Sequence, residues 1–101
     1  MEFSFQAEMW LHDGDAPWHF VTLPVEVADQ IDAAGGGLRR GFGSIEVLVA
    51  IGATCWSTSI FPDARAGSFV LPIKRTVRER EQIVAGDTVA VSLSVVEGRT
   101  W

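Results

Sequence analysis

The sequence predicts a mainly β fold, a pseudo-symmetric barrel of about six or seven strands capped by two short helices. Two observations predict it. Several short stretches alternate apolar and polar residues with a period of two, and a strand leading through Leu-Pro into a helix-like stretch occurs twice. The two pairs, Leu23-Pro24 and Leu71-Pro72, lie 48 positions apart and divide the 101 residues nearly evenly. We therefore expect one barrel domain over residues 1–101.

The first half of the chain predicts two strands and a helix. Residues 2–9 alternate, and four apolar side chains share the inward face: Phe3, Phe5, Ala7 and Met9. Turn-forming residues 12–17 separate this strand from a second one over residues 18–23. Proline fixes its own φ and is tolerated in the first turn of a helix, so Pro24 ends the strand and opens the helix. The predicted apolar face of this helix carries Val27, Ile31 and Ala34, and the glycines at 35–37 end it.

The second half predicts a hairpin, a second helix and a final strand. Gly52-Ala53 reverses the chain between strands over residues 45–51 and 54–61. A short strand over residues 68–71 leads to Pro72, which we expect to open a helix with an apolar stripe of Ile73, Val77 and Val84. After a turn at residues 85–87, the last strand places alternate side chains inward: Val89, Val91, Leu93 and Val95.

The charge balance argues against general binding of nucleic acids. The formal net charge is -5 and the pI is near 4.8, whereas affinity for nucleic acid rests largely on Lys and Arg neutralising phosphates. The single cysteine, Cys55, excludes an internal disulfide, and its surroundings predict a structural thiol that acts as a small hydrophobe.

The expected location follows from the lack of a secretory signal and of a membrane-spanning segment in the sequence. The first eleven residues have neither the basic start nor the continuous apolar core of a secretory signal. The longest apolar run, residues 47–53, is much shorter than a membrane span. We therefore expect a cytoplasmic protein without membrane contact, present as a monomer or a small homo-oligomer.

Motifs spread over almost the whole chain resemble one family of domains of unknown function, family 1905. They are residues 18–24, 43–45, 56–62, 71–74, 77–78 and 86–89. The resemblance implies a double-split barrel capped at both ends by helices, a fold type shared with AbrB-like transcription regulators and MazE-like antitoxins. Some members of the family carry a second domain associated with bacteriocin protection. No reaction is established for the family, and shared fold does not transfer function.

The candidate ligand site combines an aromatic strand with a basic helix. Four of the eight cationic side chains lie within seven residues: Lys74, Arg75, Arg78 and Arg80. On a helix Lys74 and Arg78 share one face, where they would hold a phosphate or carboxylate. The alternative is a solvated helix face balanced by glutamates. Trp56 and Ser59 belong to the aromatic strand, for which core packing is the alternative to a pocket floor.

Other chemistry is less well supported by the residues. His12 and His19 lie near Asp13 and Asp15, but metal sites usually need three or four placed ligands, so we predict no metal and no cofactor. Phosphate loops and nucleophile elbows are absent from the sequence. No catalytic residue is assigned.

Three functions remain open at this level. The first is a non-enzymatic binding or accessory domain for a small anionic or aromatic molecule at Trp56, Ser59, Lys74 and Arg78. The second is a DNA-binding regulator of the AbrB or antitoxin kind, which the net charge disfavours. The third is a small enzyme that uses a barrel cavity, for which convergent polar groups in a deep pocket would be the discriminating feature.

Overall fold

The computed structural model describes residues 2–14, 17–34 and 43–96. Within these residues it contains six strands and two helices. In chain order they are β1 (Glu2–His12), β2 (Trp18–Thr22), α1 (Val25–Ala34), β3 (Ile45–Ile51), β4 (Thr54–Asp63), β5 (Ser68–Pro72), α2 (Arg75–Glu81) and β6 (Thr88–Val95). The predicted order of elements is therefore confirmed, with six strands.

The six strands close into one antiparallel barrel. Their order around it is β1-β2-β5-β4-β3-β6, and β6 returns to β1. Each strand therefore has a hydrogen-bonded neighbour on both sides over at least part of its length. The mainly β barrel capped by two short helices that the sequence predicts is the observed fold.

Alternating apolar residues fill the barrel, as the period-two pattern predicts. In β3 and β6 every second side chain is buried while the intervening ones face outward. Met9 of β1 is fully buried, and Phe3, Phe5 and Ala7 pack against the same core from partly buried positions. The interior is consequently packed with side chains, as in other small barrels.

A pseudo-twofold axis relates the two halves of the barrel. In the pairing of β2 with β5, Val21 lies opposite Leu71, so equivalent positions are 50 residues apart. Two backbone hydrogen bonds repeat across this axis: Leu23 N donates to Phe69 O and Ile73 N donates to His19 O, both at 2.9 Å. Each half contributes two strands, a helix and a further strand.

This symmetry corrects the role predicted for Pro72. With a spacing of 50, the equivalent of Pro24 is Lys74 and not Pro72. Both Pro24 and Lys74 accept, through their carbonyls, the first two backbone hydrogen bonds of the following helix. Pro72 is instead the last residue of β5, and α2 begins three residues later. The two Leu-Pro pairs are thus offset by two positions in the fold.

The apolar face predicted for each helix is only partly correct. Val77 of α2 is buried, but Val84 lies beyond the end of the helix and is 64% exposed. In α1 the buried positions are Ala28 and Ile31, while Val27 is half-buried. The side chain of Ala34 and the glycines predicted to end α1 lie outside the described residues, as do Asp15 and Ala16 of the first predicted turn.

One surface position differs from its predicted environment. Cys55 is exposed on β4, so the prediction of a buried structural thiol is wrong. On the adjacent strand β3, Leu48 pairs with Ser57 and is 52% exposed. Of the two helices in the described part of the chain, neither is long and apolar enough to cross a membrane.

Candidate functional site

A groove opens where the barrel is split between β2 and β4. β5 separates these strands, and its last pairing with β2 joins Pro72 to Phe20. β5 pairs with β4 only from Phe61 onward, so the earlier part of β4 has a partner only in β3. Beyond Pro72 no strand of the sheet therefore lies between β2 and β4, and the chain turns into α2 at this point.

The groove has a volume of about 310 Å³. We call it the α2 groove and define it by the ten described residues that line it: Pro17, Trp18, His19, Trp56, Ser57, Thr58, Pro72, Ile73, Lys74 and Arg78. It thus draws on β2, β4, the end of β5 and α2. Residues far apart in the sequence line one groove because β5 is too short to separate β2 from β4 along their whole length.

Two cationic side chains converge on the α2 groove. Lys74 immediately precedes α2 and Arg78 lies one turn later, where its N–H donates to the Lys74 carbonyl at 3.1 Å. Arg78 Nε donates to the carbonyl of Ile73 at 3.2 Å, which fixes the plane of the guanidinium. Both residues line the groove, although Lys74 is the N-cap of α2 with an extended backbone and not a residue of the helix, as the prediction had assumed.

The described lining of the groove carries a net positive charge. None of its ten described lining residues is Asp or Glu, and among the described residues no carboxylate pairs with Lys74 or Arg78. Arg75 differs, because its Nε meets Glu79 Oε2 at 3.0 Å on the exposed side of the helix. Arg75 is therefore paired with a carboxylate, whereas Lys74 and Arg78 have no such partner among the described residues.

His19 lies in the groove next to Arg78. It is half-buried, and its Nδ1 is buried without a hydrogen-bond partner among the described residues. Burial lowers the pKa of His19 below its ordinary value of 6.5, and the positive charge of Arg78 lowers it further. Both effects favour the neutral form of the imidazole.

Trp56 and Thr58 form the β4 wall of the groove. Both are half-buried, and Trp56 also packs against the barrel core. Core packing and groove lining, weighed as alternatives from the sequence, are thus both features of this one side chain. The hydroxyls of Thr58 and Ser57 place groups that donate and accept hydrogen bonds beside the indole of Trp56.

Ser59 lies outside the α2 groove. Alternation along β4 turns it to the face opposite Trp56, where it pairs across the hairpin with Glu46. There it borders a shallow depression with Glu46 and Ser57. The structure thus brings together three of the four residues predicted for the site and separates the fourth.

Sequence reasoning missed His19, Thr58 and Trp18 as lining residues of the site. His19 and Trp18 lie 37 or more positions before Trp56, and only the pairing of β2 with β5 brings these segments together. Thr58 could have been predicted from the sequence, because it lies two residues after Trp56 on the same strand and therefore on the same face. No cluster of three His, Cys, Asp or Glu suited to a metal ion occurs among the described residues.

The fold and groove define a class: a closed six-stranded antiparallel barrel with a cationic groove in one of its splits. The profile of one family, described as a domain of unknown function (DUF1905), matches residues 5–93. The chain belongs to this family. No curated protein matches the chain.

Proposed function

We propose that this domain is a non-enzymatic binding module that holds a small anionic molecule in the α2 groove. One observation carries the proposal. Lys74 and Arg78 converge on a groove with no acidic lining residue, and no described carboxylate neutralises either of them. Two cations held close together repel each other, so an anion between them is stabilising.

The shape and lining of the groove support a small ligand. Its volume of about 310 Å³ is near the lower end of small-molecule sites, which span roughly 300–1,000 Å³. Trp56, Ile73 and Pro72 supply apolar contact, and Thr58 supplies a hydroxyl. Arg78 presents a planar fork suited to two oxygens of one phosphate or carboxylate, while Lys74 acts as a point charge.

The state of His19 favours binding over catalysis. A catalytic histidine is normally oriented by a third group that accepts a hydrogen bond from its second nitrogen. His19 Nδ1 has no such partner among the described residues. A neutral imidazole beside Arg78 contributes no charge and instead offers a polar wall to the bound anion.

Charge on the outer side of α2 favours a small anion over duplex DNA. Arg75 is paired with Glu79, and Glu81 follows on the same helix. The net charge of -5 also disfavours affinity for a phosphate backbone, which rests largely on neutralisation by Lys and Arg. Retardation of duplex DNA in a gel, weakened by both Arg75→Gln and Arg78→Gln, would instead support the DNA-binding alternative.

Nuclear magnetic resonance titration with inorganic phosphate tests the proposal. We expect the largest shift changes at backbone amides of the groove, and at least a tenfold loss of affinity in Lys74→Gln and in Arg78→Gln, since charge-assisted hydrogen bonds contribute about 1.5–3 kcal/mol. Arg75→Gln is the matched control, because it removes the same charge from the same helix outside the groove. Equal losses in all three variants, or no binding, would refute the proposal.

A further inference from the structure

A row of aromatic rings on the outer face of the β1–β2 hairpin leads to the α2 groove. Trp10 pairs with Phe20 and His12 pairs with Trp18 across the two strands. Their ring centroids lie 5.1 Å apart for Trp10 and Phe20, and 5.9 Å apart for Trp18 and Phe20. These side chains alternate with the buried Met9 and so contribute little to the barrel core.

The row is held in a fixed arrangement. Trp10 Nε1 donates to Thr22 Oγ1 at 2.9 Å, which ties the first ring to β2. Trp18 is stacked on Phe20 with an angle of only 9° between the ring planes. A side chain fixed in this way loses little further conformational entropy when a ligand binds it.

Trp18 is the member of the row that lines the groove, yet it remains 52% exposed. Because Phe20 covers one face of the indole, the exposed surface lies at the other face and at the edge. Large exposed aromatic surface beside a concave site is typical of a ligand contact. Trp18 thus shares one groove with the cations Lys74 and Arg78.

We propose that the ligand is a small aromatic phosphate monoester, whose phosphate meets Lys74 and Arg78 and whose ring stacks on Trp18. This inference rests on the proposed function and adds the class of ligand. A phosphate monoester carries about -1.5 to -2 charges at neutral pH, which matches the two cations better than a carboxylate does. Stacking of a flat ring on an exposed aromatic side chain is a common and sequence-tolerant mode of binding.

Titration with two esters of matched charge separates this inference from the proposed function. Methyl phosphate and phenyl phosphate differ in the ring alone. We expect phenyl phosphate to bind about tenfold more tightly, which corresponds to the lower half of measured stacking contributions. In Trp18→Ala this advantage should disappear, so that the variant binds the two esters with equal affinity.

Two further variants guard against a merely structural effect. Trp18→Phe retains a ring and should restore most of the advantage of phenyl phosphate. Trp10→Ala removes an indole from the same row but outside the groove, and it should keep that advantage. Adenosine monophosphate serves as a third probe. If it binds more tightly than phenyl phosphate, the ring of the ligand is a nucleobase. If it binds more weakly, the ligand is an ester with a single ring.

The outcomes that overturn the inference are distinct from those that overturn the site. Equal affinities for methyl and phenyl phosphate, lowered alike by Lys74→Gln, would leave an anion site and refute the aromatic ligand. An advantage of phenyl phosphate that persists in Trp18→Ala would also refute the assigned contact. Absence of binding by either ester would refute the proposed function itself.

Discussion

Arg78 connects the structure of the domain to its proposed ligand. Its Nε satisfies the carbonyl of Ile73, at the point where the chain leaves β5 and enters α2. One edge of the guanidinium is therefore fixed to the backbone, while the remaining nitrogens have no described carboxylate partner. A preorganised cation of this kind binds an anion without first paying for side-chain ordering.

His19 should make the stability of the domain depend on pH. Its pKa in the folded protein lies below the ordinary 6.5, so the unfolded chain takes up a proton at a higher pH than the folded one. The stabilisation is therefore present above about pH 6.5 and is lost as the pH falls through the folded pKa. Burial is the larger cause of the lowered pKa of His19, and the positive charge of Arg78 is the smaller one.

We predict that the free energy of unfolding falls more steeply between about pH 7.5 and 5.5 in the native protein than in His19→Gln, by at most about 1.4 kcal/mol per pH unit. Urea denaturation at a series of pH values measures this difference. His12→Gln is the control, since it keeps His19 and should keep the steeper fall. Identical slopes for the native protein and His19→Gln would contradict the assignment.

At the scale of elements, the two halves of the barrel satisfy the same backbone carbonyl with different side chains. The equivalent carbonyls of Leu23 and Ile73 both lie where a strand gives way to a helix. The first accepts a hydrogen bond from the buried Ser68 Oγ at 2.7 Å, and the second accepts one from Arg78. A small buried hydroxyl closes the first junction, whereas a guanidinium at the second leaves charge in an open groove.

The residues at symmetry-equivalent positions explain why the candidate site lies beside α2 and not beside α1. Pro24 and Ala28 of the first half correspond to Lys74 and Arg78 of the second. Neither residue of the first half carries charge, and Ala28 is buried. The two Leu-Pro pairs suggest a spacing of 48 residues, so the sequence alone does not show that these positions correspond.

Helix α2 is also fixed at its far end, against the turn between β3 and β4. Thr54 Oγ1 donates to Glu81 Oε2 at 2.7 Å, and Gly52 lies directly beneath the same carboxylate. Gly52 has a φ of +57°, a conformation that side-chain-bearing residues rarely adopt. A Cβ at this position would also displace Glu81.

We predict that Gly52→Ala lowers the free energy of unfolding by about 2–3 kcal/mol, because backbone strain adds to the loss of the bond from Thr54. Gly67→Ala is the matched control, since its φ of +61° is similar and a Cβ there meets no atom within 4 Å. Chemical denaturation should give a smaller loss for Gly67→Ala, about 1 kcal/mol. Equal losses in the two variants would show that Glu81 plays no part.

At the scale of the whole molecule, alternation along the strands made the barrel predictable. In β6 the inward set chosen from the sequence is the buried set, because the strand has one core face and one solvent face. The ends of elements were less predictable: β1 continues to His12 and β4 to Asp63, past the residues where turn formers begin. Turn-forming residues in a strand cost little when it pairs on one side and faces solvent.

The candidate site was predictable only in part, for a topological reason. Lys74 and Arg78 are neighbours in sequence, and their shared face follows from helical periodicity. His19 and Trp18 join them only because β5 is short and lies between β2 and β4, which no local pattern encodes. Ser59 was separated from Trp56 by strand alternation, a constraint already contained in the sequence.

The distribution of charge distinguishes the groove from the rest of the molecule. The chain carries a net charge of -5, yet the groove holds two cations and no described acid. Long-range attraction would not concentrate anions near such a protein, since exposed charges are screened within about 8–10 Å in ordinary salt. Affinity must therefore come from direct contact with the two cations.

The central claim is that affinity comes from direct contact with Lys74 and Arg78. Titration calorimetry with phenyl phosphate on two double variants of equal charge tests this claim most directly. We predict that Lys74→Gln/Arg78→Gln loses at least tenfold in affinity, because both direct contacts are removed. Arg75→Gln/Arg80→Gln removes the same charge from outside the groove and should stay within about threefold of the native protein. Equal losses in the two double variants, or full affinity in the first, would contradict a site built on Lys74 and Arg78.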